Sequence, residues 1–544
     1  MKKSFVLLFV LSFAIIAACA PDKESVQDEV HNAKDSLVLA LGNEPEEGFD
    51  PTVGWGRYGS PLFQSTLFVQ DKDFNIVNDL ATDYEIKNGG LEWVVSIRND
   101  VKFSDGTPLT ANDVVFTFET AKNSHSVVDL TNVKRIAKLS DDQVQFILEK
   151  PQSTFIYLLT MIGIVPEHAY SENYYEQPIG SGPYQLVQWD KGQQLIVEEN
   201  PYYYGKKSPF KRLTFLFLSP DAAFSAAKAG EVDIAAIPVH FAGEKVEGMD
   251  LIAVDTVDNR GIMLPFVNRK EIDGTIIGND VTADIAVRKA MNIAVDRELM
   301  IKDVLNGFGT PAYSIADGLP WWNPDTAFAD GKTFEAEMLL DEAGWTVSEN
   351  GIREKNGVKA SFSLVYPVND QTRQSLAIAF SQMMEEIGIE VIPEGRSWEE
   401  IEEVMHSTPA VMGWGSHDPM EMYYVYHSKF GGKGYHNANF YQNETVDDYL
   451  DMALLATDDE TANEYWHKAQ WDGETGLSAI GDAPWVWLVN VQHLYYVNNN
   501  LDIGEQKIQP HGHGWPITEF IADWRWKEDI NKEVGQIDES KINQ

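Results

Sequence analysis

The residues Ile389 to Trp414, IEVIPEGRSWEEIEEVMHSTPAVMGW, decide the fold class of this chain. Ile389 to Ile392 has the short apolar pattern of a strand, and Trp398 to Met405 has the spacing of an amphipathic helix. Ala410 to Trp414 is a second apolar strand. A strand, a helix and a strand in this order predict a parallel crossover, so we expect an α/β fold.

The sequence on both sides extends this unit. A preceding helix is predicted from apolar residues at helical spacing, and Gly388 can supply its left-handed C-cap. These apolar residues are Leu376, Phe380, Met383, Met384 and Ile387. Open α/β sheets bind ligands beyond the carboxyl ends of their strands. Trp414 to Asp418 would lie at such an end.

The first half of the chain contains strand and helix signals of its own. Leu91 to Ile97 and Val144 to Leu148 alternate apolar and polar residues, as half-buried strands do. Between them, Thr110 and Asp113 have the spacing of a capping box, which predicts a helix start. A strand, turn and helix unit is therefore expected here.

Composition limits the possible functions. A chain of 544 residues with 44% hydrophobic residues can build several domain-sized units, so a small single-core module is excluded. Lys and Arg total 42 against 84 Asp and Glu, which gives a formal charge of −42. A field of that sign repels phosphate backbones, so nucleic acid is not expected as a partner.

The N-terminus has the pattern of an export signal. Lys2 and Lys3 precede an apolar run from Phe5 to Ala18 that is too short to span a bilayer comfortably. The run ends in a sequence that resembles a bacterial lipobox, which predicts cleavage before Cys19 and acylation of its thiol. An ordinary signal peptide with an incidental cysteine is the alternative. As Cys19 is the only cysteine, no intramolecular disulfide can form.

Several segments taken together resemble the extracytoplasmic solute-binding proteins of family 5, the peptide and nickel class of ABC-transporter receptors. They occur in order along most of the chain, and any one alone would be a weak signal. These segments are Glu44 to Pro51, Asp100 to Pro108 with Asp113 and Val114, Gly180 to Tyr184, Asn200 to Tyr203, and Val287 to Arg297.

This resemblance implies a periplasmic-binding-protein-like fold of type II, cluster C. Two α/β lobes would enclose a ligand, with an extra subdomain in the first lobe. We place the two hinge crossovers near Asn259 to Phe266 and near Asn490 to Tyr496. The predicted organisation is a signal peptide (1–18), a lipidated flexible tether (19–35), lobe I (36–262, with the subdomain at about 55–180), lobe II (263–490), a return to lobe I (491–527) and a flexible tail (528–544).

The resemblance also implies a function. The protein is expected to be an extracytoplasmic lipoprotein that captures short peptides and delivers them to the permease subunits of an ABC importer. Oligosaccharide binding and nickel or metallophore binding by the same fold are alternatives, and an exported hydrolase is a remote one. No phosphate-binding loop, H-E-x-x-H or G-x-S-x-G motif occurs, so we expect no catalysis and no cofactor.

The candidate ligand-binding residues begin with Trp414, Gly415, His417 and Asp418. They are similar to a family segment in which a Trp-Gly pair and an Asp-Pro pair line the cleft. The resemblance to peptide-binding members implies that Asp418 pairs with the ligand's α-ammonium group, through a charge-assisted hydrogen bond. An Asx turn or cap before the helix Met420 to Tyr426 is the alternative for Asp418, and core packing is the alternative for Trp414.

Three further residues complete the predicted cleft. By resemblance, Arg373 is a candidate for the ligand carboxylate, with a solvated arginine at a helix start as the alternative. Trp55 and Arg57 lie in a first-lobe loop and combine an aromatic rim with a guanidinium that suits carboxylates. Packing of the loop is their alternative.

A metal site is the weakest of the predictions. His511 and His513 lie two residues apart in a glycine-rich loop, and imidazole suits Ni, Cu and Zn. A structural or aromatic-packed loop explains the same pattern. Family members that take metal chelates have arginines after the first-lobe helix and along a later apolar segment, and the corresponding regions of this chain have none. We therefore predict no metal ligands.

Overall fold

The computed structural model describes residues 33–42, 44–45, 47–59, 61–512 and 514–529. The predicted signal peptide, Cys19, most of the tether, His513 and most of the tail lie outside these residues. Among the described residues, none of the helices is both long enough and apolar enough to cross a membrane.

The N-terminal half of the chain contains twelve of the described strands and three of the described helices. The strands are β1 (Ser36–Ala40), β2 (Phe68–Gln70), β3 (Ile76–Asn78), β4 (Ala81–Lys87), β5 (Glu92–Ile97), β6 (Val133–Ser140), β7 (Gln143–Leu148), β8 (Tyr184–Asp190), β9 (Gln194–Glu199), β10 (Arg212–Leu216), β11 (Ile234–Ile237) and β12 (Met249–Val254). The helices are α1 (Ala111–Asn123), α2 (Phe155–Met161) and α3 (Pro220–Ala229).

The C-terminal half contains the remaining described elements. Its strands are β13 (Asn259–Met263), β14 (Lys270–Ile272), β15 (Thr275–Ile277), β16 (Gly309–Pro311), β17 (Thr346–Val347), β18 (Arg353–Lys355), β19 (Val358–Lys359), β20 (Ser361–Pro367), β21 (Glu390–Arg396), β22 (Ala410–Met412), β23 (Trp485–Val491), β24 (His493–Asn498), β25 (Leu501–Asp502) and β26 (Arg525–Trp526). Its helices are α4 (Ile285–Ala294), α5 (Arg297–Val304), α6 (Thr333–Glu342), α7 (Gln371–Glu386), α8 (Trp398–Val404), α9 (Met420–Tyr426), α10 (Glu444–Leu455) and α11 (Asp459–Gln470).

Three sheets form the framework. The first sheet has seven strands in the order β12-β24-β11-β1-β10-β9-β8. The second has six in the order β16-β23-β13-β22-β20-β21, and the subdomain sheet has four in the order β4-β5-β7-β6. Large buried clusters of apolar side chains lie against each sheet. The result is a mixed α/β architecture built on two large sheets and a subdomain sheet, as the sequence predicted.

The parallel crossover predicted from Ile389 to Trp414 is present in the second sheet. Strands β21 and β22 both run parallel to β20, which lies between them. Helix α8 begins with a capping box at Ser397, in which Glu400 returns the hydrogen bond. Gly388 ends the preceding helix at φ +77°, a left-handed conformation that glycine adopts at no steric cost.

Thr110 and Asp113 form the predicted capping box of α1.

The chain passes between the first and second sheets at two places. It leaves the first sheet at Val254 and enters the second at Asn259, and it returns between Val491 and His493. Strand β13, which the sequence divided at residue 262 between two lobes, lies wholly in the second sheet. The exact limits of the lobes and the subdomain stay a prediction.

Candidate functional site

The candidate site lies at the carboxyl edge of the parallel strands of the second sheet. Strand β22 ends at Met412 and leads directly into the predicted segment Trp414 to Asp418, while β20 ends at Pro367 shortly before Arg373. A cavity of about 260 Å³ adjoins this edge, and its lining includes Arg57 and Tyr58 of the first lobe and His417 of the second. Of the predicted site residues, Arg57 of the first lobe and His417 of the second therefore line one cavity.

Two glycines bring the loop after β22 against the first crossover. A Cβ added to Gly413 would lie 2.2 Å from the carbonyl oxygen of Asn259, and one added to Gly415 would lie 2.6 Å from that of Val257. Gly415 also has φ +154°, so a side chain there would be strained as well as crowded. Asn259 accepts from the Trp414 N–H through Oδ1 at 2.9 Å and donates its own N–H to the Trp414 carbonyl at 3.0 Å.

Asp418 is buried, with 6% of its surface exposed. Its Oδ1 accepts from the backbone N–H of Met420 at 2.9 Å, and its own N–H donates to Ser416 Oγ at 3.2 Å. The structure gives its carboxylate no salt bridge to a described residue. Burial raises the pKa of Asp418 to about 7. The Asx turn is therefore present, and it leaves the negative charge of the side chain uncompensated.

Glu421 is a second, partly buried carboxyl group, in the first turn of α9. Its Oε2 accepts from the N–H groups of Gly415 at 3.1 Å and Ser416 at 3.0 Å. Burial raises the pKa of Glu421 to about 7, and the nearby charge of Asp418 contributes in the same direction. Sequence reasoning missed this residue, because its place in an amphipathic helix gives no sign that it holds the loop before it.

Trp414 and His417 belong to this loop and have different ring contacts. The Trp414 ring packs at the edge of an apolar cluster with its centroid 6.3 Å from that of His436, and its buried Nε1 has no partner among the described residues. His417 packs edge-on against Phe74 at 4.9 Å, and burial together with the charge of Lys507 holds its pKa well below the usual range. His417 is therefore a neutral imidazole.

Arg373 is buried rather than solvated. Its guanidinium forms an ion pair with Asp370 and lies 5.6 Å from the Trp398 ring centroid. Burial and the neighbouring charge of Arg260 lower the pKa of Arg373 to about 10. Its Nε has no partner among the described residues, so one donor is available to a ligand. The alternative of a solvated helix start does not apply, and binding of a ligand carboxylate stays a prediction.

Trp55 and Arg57 have different surroundings, although only one residue separates them. Trp55 donates from Nε1 to the Pro61 carbonyl at 2.7 Å, and its ring contacts Phe49 at 4.9 Å and Trp515 at 5.4 Å in the first-lobe core. This placement favours the packing alternative for Trp55. The Arg57 guanidinium lies 4.6 Å above the Tyr58 ring and lines the cavity, where it can meet an anionic group.

Of the two histidines in the predicted loop, the structure describes only His511, and this residue has carboxylate and backbone partners. His511 contacts Asp258 through Nδ1, and Asp258 also contacts Arg260 and His493. Within the described part of the chain, no group of three or more His, Cys, Asp or Glu side chains has the arrangement of a metal site. Sequence reasoning missed Asp258 and Arg260, which no local motif marks.

The subdomain closes one side of the site. Gln70 donates from Nε2 to the His417 carbonyl at 3.0 Å, and Tyr424 donates its hydroxyl proton to Asp129 Oδ2 at 2.8 Å. The N–H of Ser153 donates to the carbonyl of Leu454 at 2.8 Å. These bonds join the first lobe directly to the second. The two lobes are therefore in contact beside the loop that carries Asp418.

Comparison with known proteins gives a consistent result. The model of a family described as "Bacterial extracellular solute-binding proteins, family 5 Middle" matches residues 75–437. Protein XP55 of Streptomyces lividans is 31% identical over 507 residues, which are 89% of this chain and 89% of that protein. The oligopeptide-binding protein AppA of Bacillus subtilis is 27% identical over 553 residues, which cover 93% of this chain and 95% of that protein.

A solved structure extends the similarity to the whole architecture. NikZ from Campylobacter jejuni, crystallised in complex with Ni(L-His), is 25% identical with a TM-score of 0.73. The match covers 90% of this chain and 99% of NikZ.

Proposed function

This chain belongs to the bacterial extracellular solute-binding proteins of family 5, and on that premise we propose that it captures short peptides and passes them to an ABC-transporter permease. Proteins of this family are extracytoplasmic binding proteins of transport systems rather than enzymes. Capture between two lobes requires no chemical step. Binding would shift the equilibrium between open and closed forms, which a permease can sense.

The observation that carries the peptide assignment is the uncompensated carboxylate of Asp418. A buried carboxylate is costly unless a cation or hydrogen-bond donors stabilise its charge. Asp418 receives one backbone N–H and no cationic partner among the described residues. The α-ammonium group of a peptide would supply both a charge and three donors. This argument supports a ligand with a free amino terminus.

Two arginine side chains are candidates to bind the carboxylate of a peptide ligand. The Nε of Arg373 has no partner among the described residues, and Arg57 lines the cavity without an ion pair to a described residue. A guanidinium presents a planar fork that matches a carboxylate. A zwitterionic peptide is therefore a better fit than a neutral sugar, which would leave the charge of Asp418 without compensation and give the Arg57 guanidinium no anionic partner.

Nickel or a nickel chelate is the second candidate, because NikZ is among the most similar solved structures and was crystallised with Ni(L-His). Against this candidate, His511 is already occupied by Asp258, and His417 packs singly against Phe74. The described residues therefore offer no ready set of protein ligands for the metal.

The proposal includes export and anchoring through an acylated Cys19. Mass spectrometry of the mature N-terminus from cell membranes would be expected to find a diacylglyceryl-modified Cys19. The matched variant Cys19→Ser should move the protein out of the membrane fraction. An unmodified cysteine in the mature protein would remove the anchor from the proposal and leave solute binding unaffected.

Calorimetric titration with trialanine, N-acetyl-trialanine and trialanine amide tests the peptide assignment. We expect binding of free trialanine, loss of binding on acetylation, and weaker binding of the amide. Titration with Ni²⁺ plus histidine and with a maltotriose solution completes the set. Tight binding of the nickel chelate or the sugar without peptide binding would refute the assignment, and steady consumption of any bound peptide would indicate a hydrolase.

A further inference from the structure

The segments that join the two lobes meet at one buried carboxylate, Asp258. The first crossover runs through residues 255–258, and the second passes Gln492. A third segment lies beside them, since the N–H of Val257 donates to the Gln509 carbonyl at 2.9 Å and that of Gln509 donates to the Asp255 carbonyl at 2.8 Å. Asp258 is 3% exposed, and its own carbonyl accepts from Val491 N–H at 3.0 Å.

The side-chain partners of Asp258 come from different parts of the framework. Arg260 belongs to β13 in the second sheet and contacts Asp258 through Nη1 and through Nη2 at 3.1 Å. His493 begins β24 in the first sheet, with its Nε2 3.4 Å from Oδ2. His511, from the third segment, contacts Oδ1 through Nδ1. One carboxylate therefore links a strand of each sheet and the segment that runs beside both crossovers.

This cluster is connected to the cleft by a short chain of bonds. The His511 N–H donates to the Gly415 carbonyl at 2.7 Å. The Gly415 and Ser416 N–H groups donate to Glu421, and Ser416 Oγ accepts from the N–H of Asp418. The loop that carries Asp418 is thus bonded to the same histidine that contacts Asp258.

We propose that Asp258 is a positioning residue of the hinge, whose contacts with Arg260, His493 and His511 set the balance between the open and closed forms. A rotation of one lobe relative to the other changes the distance from Asp258 to partners in both sheets. Packed clusters of this kind have discrete arrangements rather than a continuous range. The proposal goes beyond the choice of ligand, since it applies to any solute that the cleft takes.

The experiment measures the hinge directly in the full chain. Spin labels at Val187→Cys in β8 of the first sheet and Ile392→Cys in β21 of the second, with Cys19→Ser as background, report the separation of the two sheets by pulsed electron paramagnetic resonance. Both label sites are 46% exposed. Asp258→Asn keeps the shape of the side chain and removes its charge. We expect its ligand-free distance distribution to shift towards longer separations.

Asp233→Asn is the matched control. Asp233 is a partly buried carboxylate that accepts from the N–H of Val38 and from Asn498, all within the first sheet, so its loss should lower stability without moving the hinge. His511→Gln removes the ring contact and keeps the backbone bond to Gly415, which provides a second test if Asp258→Asn does not fold. An unchanged distribution in the folded hinge variants, or an equal shift in the Asp233→Asn control, would overturn the proposal.

Ligand affinity gives an independent readout. The apparent Kd rises as the fraction of binding-competent protein falls. Loss of one charged contact should raise the Kd of any bound solute about tenfold in Asp258→Asn. If wild-type protein binds no peptide, the peptide assignment fails, while the distance measurement in ligand-free protein still decides the role of Asp258.

Discussion

Replacement of Asp418 by Asn provides the sharpest test of the cleft. The variant keeps the bond from the Met420 N–H, because an amide Oδ1 accepts as a carboxylate does, and it removes only the charge. Burial raises the pKa of Asp418 to about 7 from an ordinary value of 3.8. Because one pKa unit corresponds to about 1.4 kcal/mol, ionising this group in the ligand-free fold costs up to about 4 kcal/mol.

The sign of the pH dependence follows from this shift. Between pH 4 and pH 7 the folded protein holds the Asp418 proton while the unfolded chain releases it, so the stability of ligand-free protein falls as pH rises. Glu421, whose pKa is also raised to about 7, contributes in the same direction. Urea unfolding should show that the free energy of unfolding falls less between pH 5 and pH 8 in Asp418→Asn than in wild type. At pH 8 the variant should be the more stable of the two.

The same substitution that raises stability at pH 8 should lower the affinity for trialanine. A charged hydrogen bond contributes about 1.5–3 kcal/mol, so Asp418→Asn should weaken binding of trialanine roughly ten- to hundredfold. Wild-type protein should release about half a proton at pH 7 when the ammonium ligand ionises Asp418, which calorimetry in buffers of different ionisation enthalpy measures. Equal affinity of wild type and variant, together with no proton release, would refute the role of Asp418.

Other predictions follow from single contacts. Gly415→Ala should destabilise the protein by about 1–3 kcal/mol in urea unfolding, because φ +154° and the nearby Val257 carbonyl leave no place for a Cβ. Trp55→Phe should lose about 1 kcal/mol with its bond to Pro61 and leave ligand affinity unchanged, whereas a change in affinity would return Trp55 to the cleft. Arg373→Met should weaken binding of trialanine about tenfold and not that of its amide, and an equal loss for both would exclude a carboxylate contact. Removal of divalent metals by EDTA should leave the melting temperature unchanged, and a fall would revive the metal alternative.

The sequence predicted local structure well where both the signal and its cause are local. The capping box at Thr110 and the left-handed end at Gly388 satisfy backbone groups within a few residues, so the pattern identifies them. The parallel crossover was equally clear from its apolar periods. The sequence did not predict that β20 lies between β21 and β22, because strand order depends on side-chain packing from distant segments.

In the candidate site, even more depends on contacts between distant segments, which local sequence does not predict. Trp414 and Asp418 follow a strand end, which predicts a ligand edge from topology alone. Asp258 and His511, by contrast, lie 253 residues apart and meet only because both crossovers and the third segment pass one point. Trp55 shows an ambiguity of another kind, since an exposed aromatic rim and a core tryptophan have the same sequence pattern. Its bond to Pro61 distinguishes them only in three dimensions.

The burial of Asp418 also indicates why closure would depend on a ligand. Water can hydrate its carboxylate when the lobes are apart, whereas the structure with lobes in contact leaves it 6% exposed and without a cationic partner among the described residues. Closing over an ionised, empty site therefore carries a penalty of up to about 4 kcal/mol, which corresponds to a factor of about a thousand in population. A cation that enters the cleft removes that penalty in the closed form only, and such differential stabilisation is what shifts an equilibrium. The same residue would then both select the ligand and oppose the contacts, those of Asp258 included, that favour closure of the empty receptor.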